Sequence, residues 1–162
     1  MVELVDIIDK NNNVIKTVTR KEMRKKNLRH KATFVLVFNS KGEVLVTKRT
    51  KIKDVYPGSY EISHGGTVQS GETYEESAYR EVKEEIGVKN VKLKYLFEFS
   101  FKDKFNNLIG KVYRCIYDGR IITQKEEVES YFFISVKDLK KMFKERKKDF
   151  APDNLPIFKK LR

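Results

Sequence analysis

The segment from Thr73 to Gly87 constrains this chain more than any other. Thr73-Tyr74-Glu75-Glu76 is a capping box, and Gly87 stands where a helix stops. The threonine hydroxyl and the glutamate three positions on can each satisfy an amide that a helix start leaves unpaired. Between these signals Tyr74, Ala78, Val82 and Ile86 recur every four residues and form one apolar stripe. A helix with that stripe needs a surface to pack on, and strand-like segments surround it. Ala32 to Phe38 and Glu43 to Lys48 read as a hairpin joined through Ser40-Lys41-Gly42, and Pro57-Gly58 marks a turn before another short strand. Residues 91–101 and 109–118 read as a further pair linked at Asn106-Asn107, and Tyr131 to Ile134 as one more.

The ends are simpler. Residues 2–8 and 14–18 read as short strands around Asp9-Lys10-Asn11-Asn12-Asn13. Thr19-Arg20-Lys21-Glu22 fits a capping box that opens a helix to about Lys26. A basic amphipathic helix from Ser135 or Val136 to about Lys147 carries Leu139, Met142 and Phe143 as its apolar stripe, and Pro152 and Pro156 are expected to break up the tail. No repeat or Pro/Gly/Ser-rich linker divides the chain. The fold expected is a single α/β domain over residues 1–162, with many strands and two main helices.

With 162 residues, 11 Phe and 8 Tyr, the chain can bury an ordered core. No apolar run reaches the roughly 18 residues of a membrane span. The start lacks a secretory layout, so a cytoplasmic location is expected. Cys115 is alone and sits in an apolar strand-like stretch, which suits a buried thiol. The net charge of +12 favours anionic partners. Two basic runs, Arg20 to Lys31 and Lys140 to Lys148, read first as solvated helix faces.

Against that background the stretch from Gly66 to Val88 is acidic. It holds six acidic and two basic residues, a local −4 within a chain of +12, so the remainder carries +16. Glu81, Glu84 and Glu85 stand at i, i+3 and i+4 and share a helix face beside the apolar stripe. Carboxylates this close resist joint ionisation unless a cation neutralises them. Magnesium, a hard cation that takes oxygen ligands, suits the cluster, and manganese is compatible with the same donors. Glu75 and Glu76 complement the helix dipole and need no further role. A glutamate-rich helix alone is usually a solvated face. The glycines Gly65, Gly66 and Gly71 set this one apart, because they let backbone approach a ligand closely.

Gly66, Glu72 and Arg80-Glu81-Val82-Lys83-Glu84-Glu85-Ile86-Gly87-Val88 match the Nudix box in every fixed position, and the order of elements around it also resembles that family. The resemblance implies a Nudix-type α/β/α sandwich with a mixed sheet, and a box at 66–88 behind an N-terminal extension of about 30 residues. It implies that Glu81, Glu84 and Glu85, joined by a backbone carbonyl near Gly65, hold Mg2+, with Glu72 and Arg80 fixing the loop–helix geometry. The implied reaction is metal-assisted attack of water on phosphorus in a nucleoside diphosphate linked to another moiety. A base from a later loop is common in the family, and Glu126, Glu127 and Glu129 are the candidates here.

Val5-Asp6-Ile7-Ile8-Asp9, Leu28 to Phe34 and Val55-Tyr56-Pro57-Gly58 are similar to the isopentenyl-diphosphate isomerase-like branch. Isomerase chemistry needs a cysteine where Gly65 stands. Met23, Thr67 and Ile109–Lys111 replace other metal ligands of that branch, so the hydrolase reading is preferred. His30 then reads as a packed residue. His64 is a candidate phosphate contact or a solvent-facing turn residue, and Arg49, near Lys48 and Lys51, is a candidate phosphate contact. The expected partner is a small diphosphate substrate. The charge keeps processing of RNA 5′ ends as an alternative, with Lys140 to Lys148 as the backbone-binding surface. A non-catalytic binding module is the third reading, and a homodimer is the default assembly.

Overall fold

A computed structural model describes residues 2–161. β1 (Leu4–Ile8) and β2 (Val14–Thr19) pair antiparallel, and α1 (Arg20–Lys26) follows. Thr19 caps α1 by accepting from the Glu22 amide, but Glu22 turns its side chain to Lys26, so only half of the expected capping box forms. Next come β3 (His30–Phe38), β4 (Glu43–Arg49), the two-residue β5 (Tyr60–Glu61) and α2 (Tyr74–Ile86). The chain continues through β6 (Lys94–Lys102), β7 (Asn107–Ile116), β8 (Val128–Ser135), α3 (Val136–Arg146) and α4 (Leu155–Lys159). All eight strands belong to one mixed sheet.

β3 organises the sheet. It runs parallel to β7 along its whole length, from His30 beside Leu108 to Phe38 beside Ile116. The expected β3–β4 hairpin pairs only at its mouth, Phe38 with Val44. Beyond that point β4 leaves to pair antiparallel with β8, from Glu43–Ser135 to Arg49–Val128. The reason lies in the composition of β3, an almost uninterrupted apolar run. Ala32, Phe34, Leu36 and Phe38 face one core, while Val35 and Val37 face another. A strand buried on both faces suits the interior of a covered sheet rather than an alternating surface hairpin.

Helices close both faces. The stripe Tyr74, Ala78, Val82 and Ile86 of α2 packs with Val35, Val37 and Leu45 on one side. Leu139 of α3, Phe150 and Ile157 of α4 pack with Phe34, Val46 and Leu108 on the other. This is the expected α/β/α sandwich with a mixed sheet. The tail departs from expectation. Pro152 opens a 3-10 turn and Pro156 sits in the first turn of α4, positions where proline's missing N–H and fixed φ suit a helix start. Asn154 between them accepts from the Ile62 amide at 2.9 Å and the Ser63 hydroxyl at 3.0 Å, which ties the tail to the core. Cys115 is buried, as its apolar setting suggests. Among the described residues no helix is long and apolar enough to cross a membrane.

Candidate active site

The site grows out of the way α2 is anchored. At its start Thr73 and Glu76 complete the capping box, and at its end Gly87 takes a left-handed conformation, φ 71°, and closes the helix on Lys83 and Val82. The segment after β7 docks on that end, with the Ile122 amide donating to Ile86 and the Gln124 amide to Glu85. Docking there places Glu127 in the cavity that Glu81, Glu84 and Glu85 line.

Backbone runs very close to these carboxylates. A Cβ built on Gly66 would stand 2.8 Å from the Glu81 carboxylate, and one on Gly65 would stand 2.1 Å from the Thr33 carbonyl oxygen. No side chain fits at position 65, the isomerase cysteine included. The glycines ahead of α2 are thus required by close approach.

Arg80 orders the acidic face. Its guanidinium grips Glu72 through Nε at 2.7 Å and Nη2 at 2.9 Å, while Nη1 reaches Glu81 at 3.0 Å and Glu84 at 3.2 Å. Such a two-pronged grip holds geometry as well as charge. Burial alone would raise the Glu72 carboxyl, but the Arg80 bonds and the Gln69 amide outweigh it and hold the group below the usual carboxylate range. Glu81 lies the other way. Burial raises it despite the adjacent Arg80. For Glu85 the loss of water, followed by repulsion from Glu61, Glu81 and Glu127, holds the carboxyl well above the usual range.

The structure brings Glu81, Glu84, Glu85 and Gly65 to one cavity, with Glu84 half-exposed at its rim. Among the described residues, acidic, histidine and cysteine side chains do not already gather in threes as a metal cage, and Glu84 stays with Arg80. The chemistry of the donors still fits a hard divalent cation. They are all oxygens, they repel one another, and among the described residues Glu85 has no compensating hydrogen bond.

The facing wall is basic. Arg49 lines the same cavity, donating to Glu61 at 2.6 Å and to the Val55 carbonyl at 2.9 Å. Lys53 pairs with Glu127. Glu129 turns to Lys48 and Glu126 is exposed, so Glu127 is the one of the three candidate bases that reaches the site.

His64 requires a correction. It is fully buried, its ring lying 3.3 Å from the Thr47 hydroxyl and 3.2 Å from the Leu45 carbonyl. It is neither a solvent-facing turn residue nor placed to touch phosphate. Burial lowers its pKa to about 4, and burial does the same at His30, which contacts the Leu28 carbonyl. Both rings are neutral at physiological pH.

Comparison with known proteins decides the family. A model of the NUDIX domain matches residues 28–154. The chain belongs to the Nudix family. It is 37% identical over 155 residues to an uncharacterized Nudix hydrolase of Yersinia pestis, covering 96% of this chain and 83% of that one. To the uncharacterized Nudix hydrolase YfcD of Escherichia coli K12 it is 35% identical over 153 residues, covering 94% and 83%. Its fold matches the crystal structure of DR0079 from Deinococcus radiodurans with a TM-score of 0.85, at 24% identity over 98% of this chain and 99% of that one. This Nudix hydrolase acts on phosphorus anhydrides, in a family that generally works with divalent metal ions.

Three features around the site were not legible in the sequence, two of them carboxylates of an inner cavity that shares Arg24 and Arg49 with the first. Glu61 lies on the short strand expected after Pro57-Gly58, where nothing in its sequence setting marks it as a cavity residue. Asp153 lies in the 3-10 turn that Pro152 opens, in the tail that the prolines are expected to break up. The third was the inward face of α1. Of the run Arg20 to Lys31, Lys21, Lys25 and Lys26 are exposed, but Arg20 and Arg24 line the cavity. Their i, i+4 spacing was the available signal, since it sets both on one helix face.

Asp153 supplies a pH test. Burial first, and then Glu61, push its pKa from 3.8 up to about 7. Because the folded value is the higher one, the native state binds the proton more tightly, and the associated stability is present below about pH 4 and lost as pH rises through 7. Asp153→Asn should therefore melt above the wild type at pH 8, by roughly 5 °C for about 2 kcal/mol, with the gap closing near pH 4. Parallel melting curves with a constant gap would remove Asp153 as the titrating group.

Proposed function

We propose that this chain catalyses metal-dependent hydrolysis of the diphosphate linkage in a nucleoside diphosphate joined to another moiety: a nucleotide, dinucleotide or nucleotide sugar. The observation that carries the reading is Glu85, a desolvated carboxylate set among Glu61, Glu81 and Glu127 and facing Arg49 across one cavity. On this reading Glu81, Glu84 and Glu85 hold Mg2+, or Mn2+ in its place, with the Gly65 carbonyl beside them. The bound cation supplies charge that offsets the phosphates and acidifies water. Arg80 and Glu72 keep the glycine loop fixed against α2, so the carboxylates stay in register. Arg49 turns a guanidinium toward the phosphates, and its bond to Glu61 limits how far it can move. Glu127 lines the cavity within reach of Lys53 and is placed to take the proton that water gives up on attacking phosphorus.

The RNA-end alternative draws its support from charge alone. Lys140 to Lys148 lie on the exposed face of α3 and the turn after it, as a solvated helix face does.

Chromatographic separation of the products formed with Mg2+ tests the proposal against nucleoside di- and triphosphates, dinucleotides, nucleotide sugars and 5′-triphosphate RNA. Turnover of a small nucleotide in preference to RNA is the expected result. Turnover of RNA alone would transfer the reading to 5′-end processing.

A further inference from the structure

Of the two arginines of α1 that face the cavity, Arg24 stands apart from every other cation there. Arg49 has Glu61, Lys53 has Glu127, Arg80 has three glutamates, and Arg20 reaches Glu3 at 3.8 Å. Among the described residues Arg24 has no carboxylate within salt-bridge distance. Its Nη1 donates to Asn106 at 2.6 Å, its Nη2 stands 3.5 Å from the Thr67 hydroxyl, and its buried Nε has no partner. Asp54 and Asp153 lie farther off on the same wall and act only through the field. Burial, and then the like charges of Arg20 and Arg49, work against its protonated form.

A guanidinium drawn out of water without a counter-charge is costly. It stays charged in any accessible pH range, so the cost cannot be relieved by losing a proton. The same side chain borders both the inner cavity and the one that Glu81, Glu84 and Glu85 line. It thus stands on a basic wall across from the acidic one. An anion with several oxygens entering between the walls would supply the counter-charge that this guanidinium lacks, as phosphate does for an arginine fork.

We propose that Arg24 is a substrate-anchoring residue that grips a phosphate group of the phosphoanhydride, so that α1 forms one wall of the binding site. Arg20 and Arg24 precede the residues that the family model matches, 28–154. This grip accordingly lies outside the matched domain, on the N-terminal segment that precedes it. It rests on the phosphoanhydride reading for its substrate class but not on the hydrolytic step.

The test is calorimetric binding of inorganic pyrophosphate at low salt with a chelator present, using the wild type, Arg24→Gln, Arg24→Lys and Glu85→Gln. Wild-type binding is expected, weakened about 10- to 100-fold in Arg24→Gln and falling less steeply with salt. Glu85→Gln should bind at least as well as the wild type, since it removes a repelling charge. Arg24→Lys should fall between, keeping charge without the fork. Should Arg24→Gln fail to fold, the lysine variant decides: weakened binding supports the grip, and unchanged binding overturns it. Wild-type affinity in a folded Arg24→Gln, or no wild-type binding at all, also overturns it. Binding that depends on Arg24 in a protein that hydrolyses nothing would leave the grip standing and sink the hydrolase proposal instead.

Discussion

Glu85→Gln should lower hydrolysis roughly a thousandfold while leaving the melting temperature unchanged or higher. The two effects have one cause. Glu85 is desolvated and crowded by Glu61, Glu81 and Glu127, so as a carboxylate it is costly in the folded protein. Glutamine keeps the shape and removes the charge, relieving the repulsion. On the proposed reading it also removes an oxygen anion that would hold the cation, whose stabilisation of the transition state would be worth several kcal/mol, or about three powers of ten. Activity and thermal stability measured on the same preparation check both halves. A variant that loses stability along with activity would mean that Glu85 is a structural ion-pair partner.

The second large effect is expected at the glycines ahead of α2, and the two should fail in different ways. At Gly65 an added Cβ meets the backbone oxygen of Thr33 at 2.1 Å, inside a strand held by β7. Neither chain can move without breaking ladder bonds, so Gly65→Ala should cost more than about 3 kcal/mol and lower the melting temperature by roughly 6–12 °C. At Gly66 the obstacle is the carboxylate end of Glu81, 2.8 Å away, which can swing aside. Gly66→Ala should therefore melt within a few degrees of the wild type yet lose most of its activity, because Glu81 is displaced. Melting curves and turnover for the pair distinguish these outcomes. Equal melting temperatures for the two variants would contradict the close approach at Gly65.

Residues whose role is local were legible in the sequence. The capping box at Thr73, the stop at Gly87 and the four-residue spacing of Tyr74, Ala78, Val82 and Ile86 fixed α2, and with it the shared face of Glu81, Glu84 and Glu85. What stayed hidden depends on how distant segments meet. The apolar run of β3 fits a hairpin and a doubly covered strand equally well in sequence, and its pairing with β7 across some 80 residues decides between them. His64 looks like a polar turn residue until Thr47 and Leu45 are seen to enclose it. Arg24 looks like one charge in a basic run. Its difference from Lys25 and Lys26 is which side of a seven-residue helix faces Asn106 and Thr67. Pro152 and Pro156 break a pattern in sequence but start helical turns in space, which lets Asn154 bond to Ile62 and Ser63 and sets Asp153 in the cavity wall.

The most direct measurement of the central claim is hydrolysis of the preferred substrate in oxygen-18 water, with Mg2+ and with a chelator in parallel. The account predicts one labelled oxygen on a phosphate product with Mg2+ and no turnover in the chelator. Unlabelled phosphate products, or full turnover without a divalent cation, would contradict it.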